Sequence, residues 1–451
     1  MKTCMVKQNK GIQMNLDEIK RKKISAISLG CDKNRVDLEK MLYNLKSFGF
    51  EIIDNIEDAE IIIVNTCAFI QSAVSEAIDN ILLALEQKAS KCEKVIVTGC
   101  LFSRYGEEIK QSLSEVDAYV DTKNNSKIVD IVCNLYNAEI KHVYKEGRLL
   151  TNYPHYAYLK IADGCNNGCA YCTIPRIRGR YISTPLENLI KEAKMLASQG
   201  VKELILVAQD VTRYGYDIYN ESRLVQLIRE LSRIKEISWI RLHYCYPEMV
   251  TNELLDEIKL NPKVCKYLDI PLQHIDDKIL KDMNRRSDET SVRMLIQNLK
   301  ENYPEITIRS TFIVGFPGES GKQFKKLIQF LKQAQLNNVG FFPYYKEEKT
   351  KAFFMKKQVP SFIKKMRLKK AQKVQTQIAN DLNLKLVGNT VDVLIDYFDY
   401  NDGYFYGRSQ ASSPNVDFYI SFDNSQNIVL GNIYKAKILS FENGVFKGEI
   451  I

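Results

Sequence analysis

The first part of the chain alternates short apolar runs with amphipathic stretches. The apolar runs lie at residues 24–29, 61–64 and 95–97, and their length and β-branched side chains predict buried strands. After the first run, apolar residues recur three and four positions apart until Gly49, which is the pattern of a helix and its end. This alternation predicts a parallel sheet with crossover helices, and we assign residues 22–145 to this domain.

A second alternating series fills the middle of the chain. Six apolar runs, each followed by helical spacing, lie at residues 157–161, 204–208, 239–242, 267–270, 307–314 and 339–342. Six strand-and-helix units predict a partial (β/α)6 barrel, to which we assign residues 151–378. A basic stretch from residue 361 to about 386 is predicted to be helical.

The last part of the chain, residues 380–451, changes character. Short β-rich runs are separated by the turn sequences Asn401-Asp402-Gly403 and Asn443-Gly444, which favour hairpins. This part is predicted to be a small antiparallel β-barrel. The predicted fold class is therefore α/β, with a parallel-sheet domain, a barrel and a small β domain.

Composition narrows the class of protein. The chain has 451 residues, of which 45% are hydrophobic and 26% charged, as in ordinary globular proteins. Its apolar runs are far shorter than the roughly 18 residues that a membrane-spanning helix needs, and no signal-peptide pattern opens the sequence. We therefore expect a cytoplasmic protein without membrane contact.

Three of the eleven cysteines lie close together just after the first barrel strand. Cys165, Cys169 and Cys172 have the spacing C-x-x-x-C-x-x-C. Three thiolates can hold three irons of a four-iron cluster and leave the fourth iron open, so that it can bind S-adenosylmethionine (SAM) and pass an electron to it. The alternative is a zinc site, which needs a fourth Cys or His nearby; His155 lies upstream on the other side of a strand.

A second set of cysteines is spread along the first domain. Cys31, Cys67 and Cys100 each follow a predicted parallel strand, and such strand ends share one edge of the sheet. They are expected to converge on a second three-thiolate metal site, although any one of them alone could be a buried apolar residue. The remaining cysteines, Cys4, Cys92, Cys133, Cys245 and Cys265, are interpreted as packing residues or stray thiols.

With these two cysteine sets, the barrel and the β-rich end, the chain resembles the radical-SAM methylthiotransferases from about Lys22 onwards. The resemblance implies two four-iron clusters, two SAM molecules per product and a carboxy-terminal TRAM domain. One SAM methylates sulfur at the first cluster, and the other is cleaved to a 5′-deoxyadenosyl radical that takes hydrogen from the substrate. The resemblance also implies that Tyr171 lies near the adenine and that the region of Gly315 and Gly318 helps to bind SAM. We add Gln209, at a strand end, as a SAM-binding candidate; a core aromatic and a plain tight turn are the alternatives for Tyr171 and the two glycines.

The family has two main branches, which modify an aspartate of ribosomal protein 12 of the small subunit or an adenosine of tRNA. Residues 28–34, 242–247, 268–274 and 407–411 are similar to the ribosomal-protein branch, whose pattern usually has Pro where this chain has Asp32. His243 and His274 are typical of that branch. Because both lie at predicted strand ends, they are expected to face the substrate. The resemblance thus implies methylthiolation of the aspartate β-carbon, with the tRNA adenosine as the alternative.

The distribution of charge along the chain also bears on whether the substrate is tRNA or a ribosomal protein. Residues 380–451 carry nine acids and five bases, whereas the whole chain has a net charge of +9. A domain that binds tRNA phosphates should be basic, so the acidic end is expected to favour a basic ribosomal protein, with Asp396, Asp399 and Asp402 among the steering residues. The alternative is an acidic surface kept for solubility. Direct RNA binding stays open, and an electron donor such as a flavodoxin is expected as a second partner.

Overall fold

The computed structural model describes residues 15–425 and 427–451. These residues form two compact units. The first contains the described residues up to Thr151 together with Arg176–Arg178, and the second contains Asn152–Pro175 and the described residues from Gly179 to Ile451.

The first unit is built on a parallel sheet with the strand order β2-β1-β3-β4-β5. Its strands are β1 (Lys23–Ser28), β2 (Glu51–Ile52), β3 (Ile61–Thr66), β4 (Lys94–Gly99) and β5 (Ala118–Val120). Its helices are α1 (Leu16–Lys20), α2 (Asp32–Phe48), α3 (Gln71–Glu86), α4 (Cys100–Tyr105), α5 (Glu107–Ser112) and α6 (Ile128–Asn134). The predicted parallel sheet is confirmed, with β2 and β5 as additional short edge strands.

Strand β3 shows why its apolar run is continuous. Ile61 and Ile63 pack in a core with residues of α2 and α6, whereas Ile62 and Val64 pack in a second core with residues of α3. Because helices cover both faces of the sheet, every position of the strand is buried.

The second unit begins with a six-stranded barrel. Its strands are β6 (Tyr156–Lys160), β9 (Glu203–Val207), β10 (Trp239–Leu242), β11 (Tyr267–Gln273), β12 (Thr307–Val314) and β13 (Asn338–Pro343), with a small pair β7 (Ala162–Asp163) and β8 (Ile182–Ser183). Hydrogen bonds join the six strands into two parallel halves, β10-β9-β6 and β11-β12-β13. The partial (β/α)6 barrel is confirmed.

Helices connect the barrel strands. They are α7 (Ile174–Ile177), α8 (Leu186–Ser198), α9 (Tyr216–Tyr219), α10 (Leu224–Ser232), α11 (Asn252–Leu260), α12 (Asp277–Asp282), α13 (Glu289–Asn302), α14 (Gly321–Ala334) and α15 (Ser361–Leu384). The last of them is the basic helix that the sequence predicts.

The end of the chain forms a closed five-stranded barrel in the order β14-β15-β16-β18-β17. Its strands are β14 (Thr390–Asp399), β15 (Tyr404–Ser409), β16 (Ile420–Asp423), β17 (Ile433–Glu442) and β18 (Val445–Ile450). Asn443 and Gly444 both have positive φ and join β17 to β18, as their sequence predicts. The predicted small β-barrel is confirmed. Four of its five strand pairs are antiparallel, and the pair of β16 and β18 is parallel.

A buried network of charges ties this small barrel to the large one within the second unit. Arg408 pairs with Asp396 and, at 2.7 Å, with Glu203, which also pairs with Arg241 at 2.7 Å. His155 lies 2.9 Å from Asp396, and all five side chains are buried. The prediction that Asp396 steers a substrate from the surface is therefore wrong, because this carboxylate is buried and paired inside the protein.

Asp417 is the second acid of this region that is not on the surface. Its carboxylate lies 2.7 Å from both the Arg309 guanidinium and the Tyr267 hydroxyl, both on barrel strands. The other seven acids of residues 380–451 are exposed or half-exposed, so the surface of the small barrel is still acidic.

The helices offer no membrane span. Among the described residues, no helix is both long and apolar enough to cross a bilayer.

Candidate metal centres

Cys31, Cys67 and Cys100 each follow one of three neighbouring strands of the first sheet. They come after β1, β3 and β4, which lie side by side in the order β1-β3-β4. Cys31 is exposed, Cys67 is half-buried and Cys100 is buried. The structure thus brings all three predicted residues to the same edge of one sheet, at the carboxyl ends of its strands.

The backbone at Gly30 shows how close two of these strand ends are. Gly30 has φ +90°, and a Cβ placed on it would lie 2.6 Å from the Cβ of Cys67. Only glycine fits both the conformation and the close approach. The loop after β1 can therefore carry Cys31 past Cys67 without a clash.

We predict that Gly30→Ala disrupts the first cysteine site. The new methyl group would displace Cys67, so we expect reconstituted protein to lose about half of its iron while the second site keeps its own. Gly106→Ala is the matched control, because Gly106 also has positive φ but nothing within 4 Å of its Cβ position. Equal iron content in the two variants would show that the approach of Gly30 to Cys67 does not matter.

Arg178 contacts Cys100 and is itself held by two polar residues of α2. Arg178 lies 2.5 Å from the Asp37 carboxylate, 3.1 Å from the Asn34 side-chain oxygen and 3.5 Å from the Cys100 sulfur. The side-chain amide of Asn34 donates to the carbonyls of Leu29 and Thr66. Asn34 thus ties the ends of β1 and β3 together, and Arg178 places a positive charge beside a predicted metal ligand.

The second candidate site is the loop that holds Cys165, Cys169 and Cys172. Backbone N–H groups point at two of the sulfurs, from Asn167 to Cys165 at 3.5 Å and from Ile174 to Cys172 at 3.4 Å. Hydrogen bonds to cluster sulfurs are one of the means by which proteins set a cluster potential.

Residues 283–285, just after α12, support this loop. The Ala170 N–H donates to the Met283 carbonyl at 2.9 Å, and the Asn284 amide donates to the Gly168 carbonyl at 2.9 Å. Arg285 reaches the Cys169 sulfur at 3.8 Å. No spacing or periodicity in the sequence marks these three residues as partners of the cysteines.

The Arg285 guanidinium is held in place by two further contacts. It lies 4.2 Å from the centre of the Tyr246 ring and donates to the Pro271 carbonyl at 3.0 Å. The Tyr246 hydroxyl lies 3.8 Å from the same Cys169 sulfur. A buried positive charge and a hydroxyl group therefore face the middle cysteine of the loop.

The environment of the thiols disfavours free thiolates. Burial raises the pKa of Cys100 and of Cys172 to about 12, and it also raises the pKa of Cys67 and Cys165. Without a compensating charge these thiols stay protonated at neutral pH. A bound metal removes the proton from a coordinating thiol. Burial also raises the pKa of Cys133, Cys245 and Cys265, so the grouping of the cysteines, and not their pKa, is what suits an iron cluster.

The two sets do not converge on single points. Within the part of the chain that the structure describes, no three His, Cys, Asp or Glu side chains are placed to hold one metal ion together. A four-iron cluster does not require such convergence, because each thiolate binds its own iron.

The residues predicted to bind SAM lie around the second cysteine loop. Tyr171 is half-buried against Phe316, with ring centres 6.4 Å apart. Gln209 donates to Asp163 at 3.2 Å, while its buried side-chain oxygen has no partner in the described structure. An unpaired buried acceptor is costly unless a ligand satisfies it, which fits a cofactor at Gln209.

Gly315 and Gly318 form a tight turn, each with positive φ. The Gly315 N–H donates to the Glu319 carboxylate at 2.6 Å, and the Gly318 N–H donates to the Lys357 carbonyl at 2.9 Å. Both N–H groups are thus used within the protein. A Cβ on Gly315 would lie 2.5 Å from the Lys364 side chain, whereas at Gly318 nothing lies within 4 Å of that position. Contact of this turn with SAM therefore stays a prediction, and the open space for it is at Gly318.

Glu319 is a buried residue of the same turn that the sequence did not predict as special. Burial raises the pKa of its carboxyl group to about 7, against the opposite effect of Arg367 and two backbone N–H groups. Arg367 on α15 lies 2.9 Å from it. The carboxylate therefore fixes the turn and attaches α15 to it.

Both histidines are buried in the described structure, and that they face the substrate stays a prediction. His243 is buried and its Nε2 lies 2.8 Å from the Ser413 hydroxyl of the small barrel. His274 is fully buried, its Nδ1 accepts from the Asp276 N–H at 3.0 Å, and burial lowers its pKa to about 4. A position at a strand end does not decide whether a side chain points outwards.

Four of the remaining cysteines are buried, as expected of packing residues: Cys92, Cys133, Cys245 and Cys265. Cys4 lies outside the described residues.

Three family descriptions match successive parts of the chain. Residues 23–121 match the uncharacterized protein family UPF0004, residues 159–331 the Radical SAM superfamily and residues 387–451 the TRAM domain.

Similar proteins carry the name ribosomal protein uS12 methylthiotransferase RimO. The protein of Clostridium botulinum (strain Eklund 17B / Type B) is 44% identical over 429 residues, with 92% of this chain and 95% of the relative covered. That of Alkaliphilus oremlandii is 43% identical over 411 residues, with 90% and 94% covered.

Two solved structures share the fold at low sequence identity. The radical SAM methyltransferase TsrM from Kitasatospora setae has a TM-score of 0.54 at 14% identity, and the match covers 71% of this chain and 72% of TsrM. The cobalamin-dependent radical enzyme OxsB has a TM-score of 0.51 at 12% identity, with 80% of this chain and 57% of OxsB covered.

Proposed function

The chain belongs to the family of ribosomal protein uS12 methylthiotransferases, and we propose that it inserts a methylthio group at the β-carbon of an aspartate in uS12. The reaction uses SAM and two four-iron clusters. One observation carries the proposal: a single chain places three cysteines at one edge of a parallel sheet and three more in the loop after the first barrel strand.

The two cysteine sets have different roles in this proposal. Cys165, Cys169 and Cys172 hold the cluster that binds SAM, and Cys31, Cys67 and Cys100 hold the cluster that handles sulfur. A four-iron cluster with one open iron supplies the electron that cleaves SAM to a carbon radical. Radical chemistry is needed because proton removal from an unactivated aliphatic carbon is too unfavourable for a general base near neutral pH.

Side chains around each set prepare it for this chemistry. Arg285 sits beside Cys169, and its positive charge favours electron uptake at that site. Arg178 occupies the equivalent place beside Cys100. Gln209, with its unpaired oxygen, and Tyr171 would bind SAM, while the turn at Gly315 and Gly318 bounds the same region.

The three predicted domains follow from the same proposal. Residues 22–145 form the methylthiotransferase domain, 151–378 the radical-SAM core and 380–451 the TRAM domain. The enzyme acts in the cytoplasm, on uS12 and with a one-electron donor such as flavodoxin.

The substrate is tested by comparing cells with and without the gene. We expect uS12 to lose the mass of one methylthio group in the deletion strain, while the modified nucleosides of bulk tRNA are unchanged. Complementation with the intact gene should restore the mass. Loss of a methylthio group from a tRNA adenosine, with uS12 unaltered, would assign the chain to the alternative substrate.

A further inference from the structure

The positive charge of the chain is concentrated in one stretch after the last strand of the large barrel. Residues 346–373 contain ten lysines and one arginine against two glutamates, a net charge of +9 that equals the net charge of the whole chain. The arginine, Arg367, and one acid, Glu347, are buried. The exposed charged side chains of this stretch are therefore almost all lysines.

We call the exposed side chains of this stretch the lysine surface. Its nine exposed lysines are Lys346, Lys349, Lys351, Lys356, Lys357, Lys365, Lys369, Lys370 and Lys373. The stretch has one exposed acid, Glu348. On α15, Lys365, Lys369 and Lys373 follow each other at intervals of four, so they line one face of the helix.

Large apolar side chains interrupt this surface. Phe354 is 75% exposed, Phe362 is 70% exposed and Met366 is 56% exposed. Single exposed apolar side chains are common on protein surfaces, so the meaning of these depends on the lysines around them. Aromatic rings among lysines are the combination that single-stranded nucleic acids require, because the bases stack on the rings and the phosphates contact the charges.

The lysine surface begins beside the radical-SAM loop. The Ala352 N–H donates to the Ala170 carbonyl, between Cys169 and Cys172, at 2.8 Å. Ala352, Tyr344 and Ala170 also share one apolar cluster. The surface therefore begins next to the loop that carries Cys165, Cys169 and Cys172.

We propose that the lysine surface binds unpaired ribosomal RNA next to uS12, so that the enzyme acts on uS12 already bound to RNA. This inference rests on the proposed function. Ribosomal proteins are basic, and a free basic protein would be repelled by the nine lysines of a surface that begins beside the radical-SAM loop. Phosphates between the two basic surfaces remove that repulsion.

The composition of the surface favours RNA over a protein partner. Lysine is depleted at protein–protein interfaces, where arginine is enriched, and the stretch has no exposed arginine. Lysine contacts phosphate as a point charge without a fixed geometry, so the surface should bind RNA with little preference for sequence. The acidic small barrel is left to contact uS12 itself.

The test measures binding of the reconstituted full-length enzyme to a fluorescent single-stranded RNA of about 20 nucleotides, longer than the roughly 4–16 nucleotides of common single-strand sites. The triple variant K365E/K369E/K373E should bind at least tenfold more weakly at low salt. The slope of log affinity against log salt should become shallower by about two. Each lost phosphate contact of a single strand removes about 0.7 from this slope, and three lysines are changed. The matched control K435E/K437E/K447E changes the same charge at exposed lysines of the small barrel and should bind like the parent.

The aromatic contribution is tested separately. F354S/F362S should lose at least fivefold in affinity, in the range of base stacking, while the salt slope stays the same. The triple lysine variant should also slow modification of uS12 in small subunits but not of free uS12.

Three results would overturn the inference. The first is that the parent enzyme does not bind RNA. The second is that the triple lysine variant and its control lose the same affinity. The third is that the triple lysine variant binds RNA like the parent but loses flavodoxin-driven SAM cleavage, which would assign the surface to an acidic electron donor. Dithionite-driven SAM cleavage is measured in every preparation, because its absence would contradict the proposed function rather than this inference.

Discussion

Cys169→Ala should abolish both SAM cleavage and product formation. Cys169 is one of only three cysteines in its loop, and the side chains of Arg285 and Tyr246 are directed at its sulfur. Loss of one of three ligands should prevent assembly of the SAM-binding cluster. Anaerobic reconstitution should then give about half of the parent iron content and no 5′-deoxyadenosine above background.

Cys67→Ala should separate the two activities. Its cluster would also be lost, so the iron content should again fall by about half, but SAM cleavage should continue because the other three ligands are intact. Insertion of sulfur into uS12 should stop. Equal loss of 5′-deoxyadenosine in Cys67→Ala and Cys169→Ala would contradict this division of roles.

Cys245→Val provides the control for both variants. Cys245 is fully buried and belongs to neither cysteine set, and valine is an apolar residue of similar size. We expect this variant to keep the iron and the activity of the parent. A drop in its iron content would show that a ligand has been assigned wrongly.

The placement of the first cysteine set at one sheet edge could be predicted because topology follows from local pattern. Three apolar runs with helices between them imply parallel strands, and parallel strands place their carboxyl ends at one edge. Cys31, Cys67 and Cys100 could therefore be grouped although tens of residues separate them. The observed strands β1, β3 and β4 lie side by side.

Residues that act through distant contacts escape this reasoning. Arg178 meets Asp37 and Cys100 across 141 and 78 positions of sequence, and Arg285 meets Cys169 across 116 positions. Periodicity reports only which face of an element is apolar. It does not report which charged side chain of one element reaches a polar group of another.

The same limit explains the error at Asp396. Counting charges in residues 380–451 treats every acid as exposed, yet Asp396 lies on a strand whose outer face packs against the large barrel instead of facing solvent. The sequence contained one sign of this, because Asp396 lies within an apolar run that predicts a strand. A charged residue that is fully buried in such a run is almost always paired.

Removing the charge of Asp396 should destabilise the second unit strongly. Asp396→Asn leaves Arg408 buried with a weaker partner on one side, and breaking a buried ion pair by removing one partner costs about 3–5 kcal/mol. Asp392→Asn, on the same strand but exposed, should change the free energy of unfolding by no more than about 0.5 kcal/mol. The comparison separates burial from the mere loss of a negative charge.

Urea unfolding can be followed through the one tryptophan of the chain. Trp239 is buried with Tyr267 of the large barrel and Leu394 of the small one, so its fluorescence reports the region around the charge network. The double variant Asp396→Leu/Arg408→Met should be more stable than Asp396→Asn, because it replaces both charges with apolar groups instead of stranding one. If Asp396→Asn and Asp392→Asn unfold at the same urea concentration, the buried network does not hold the two barrels together in solution.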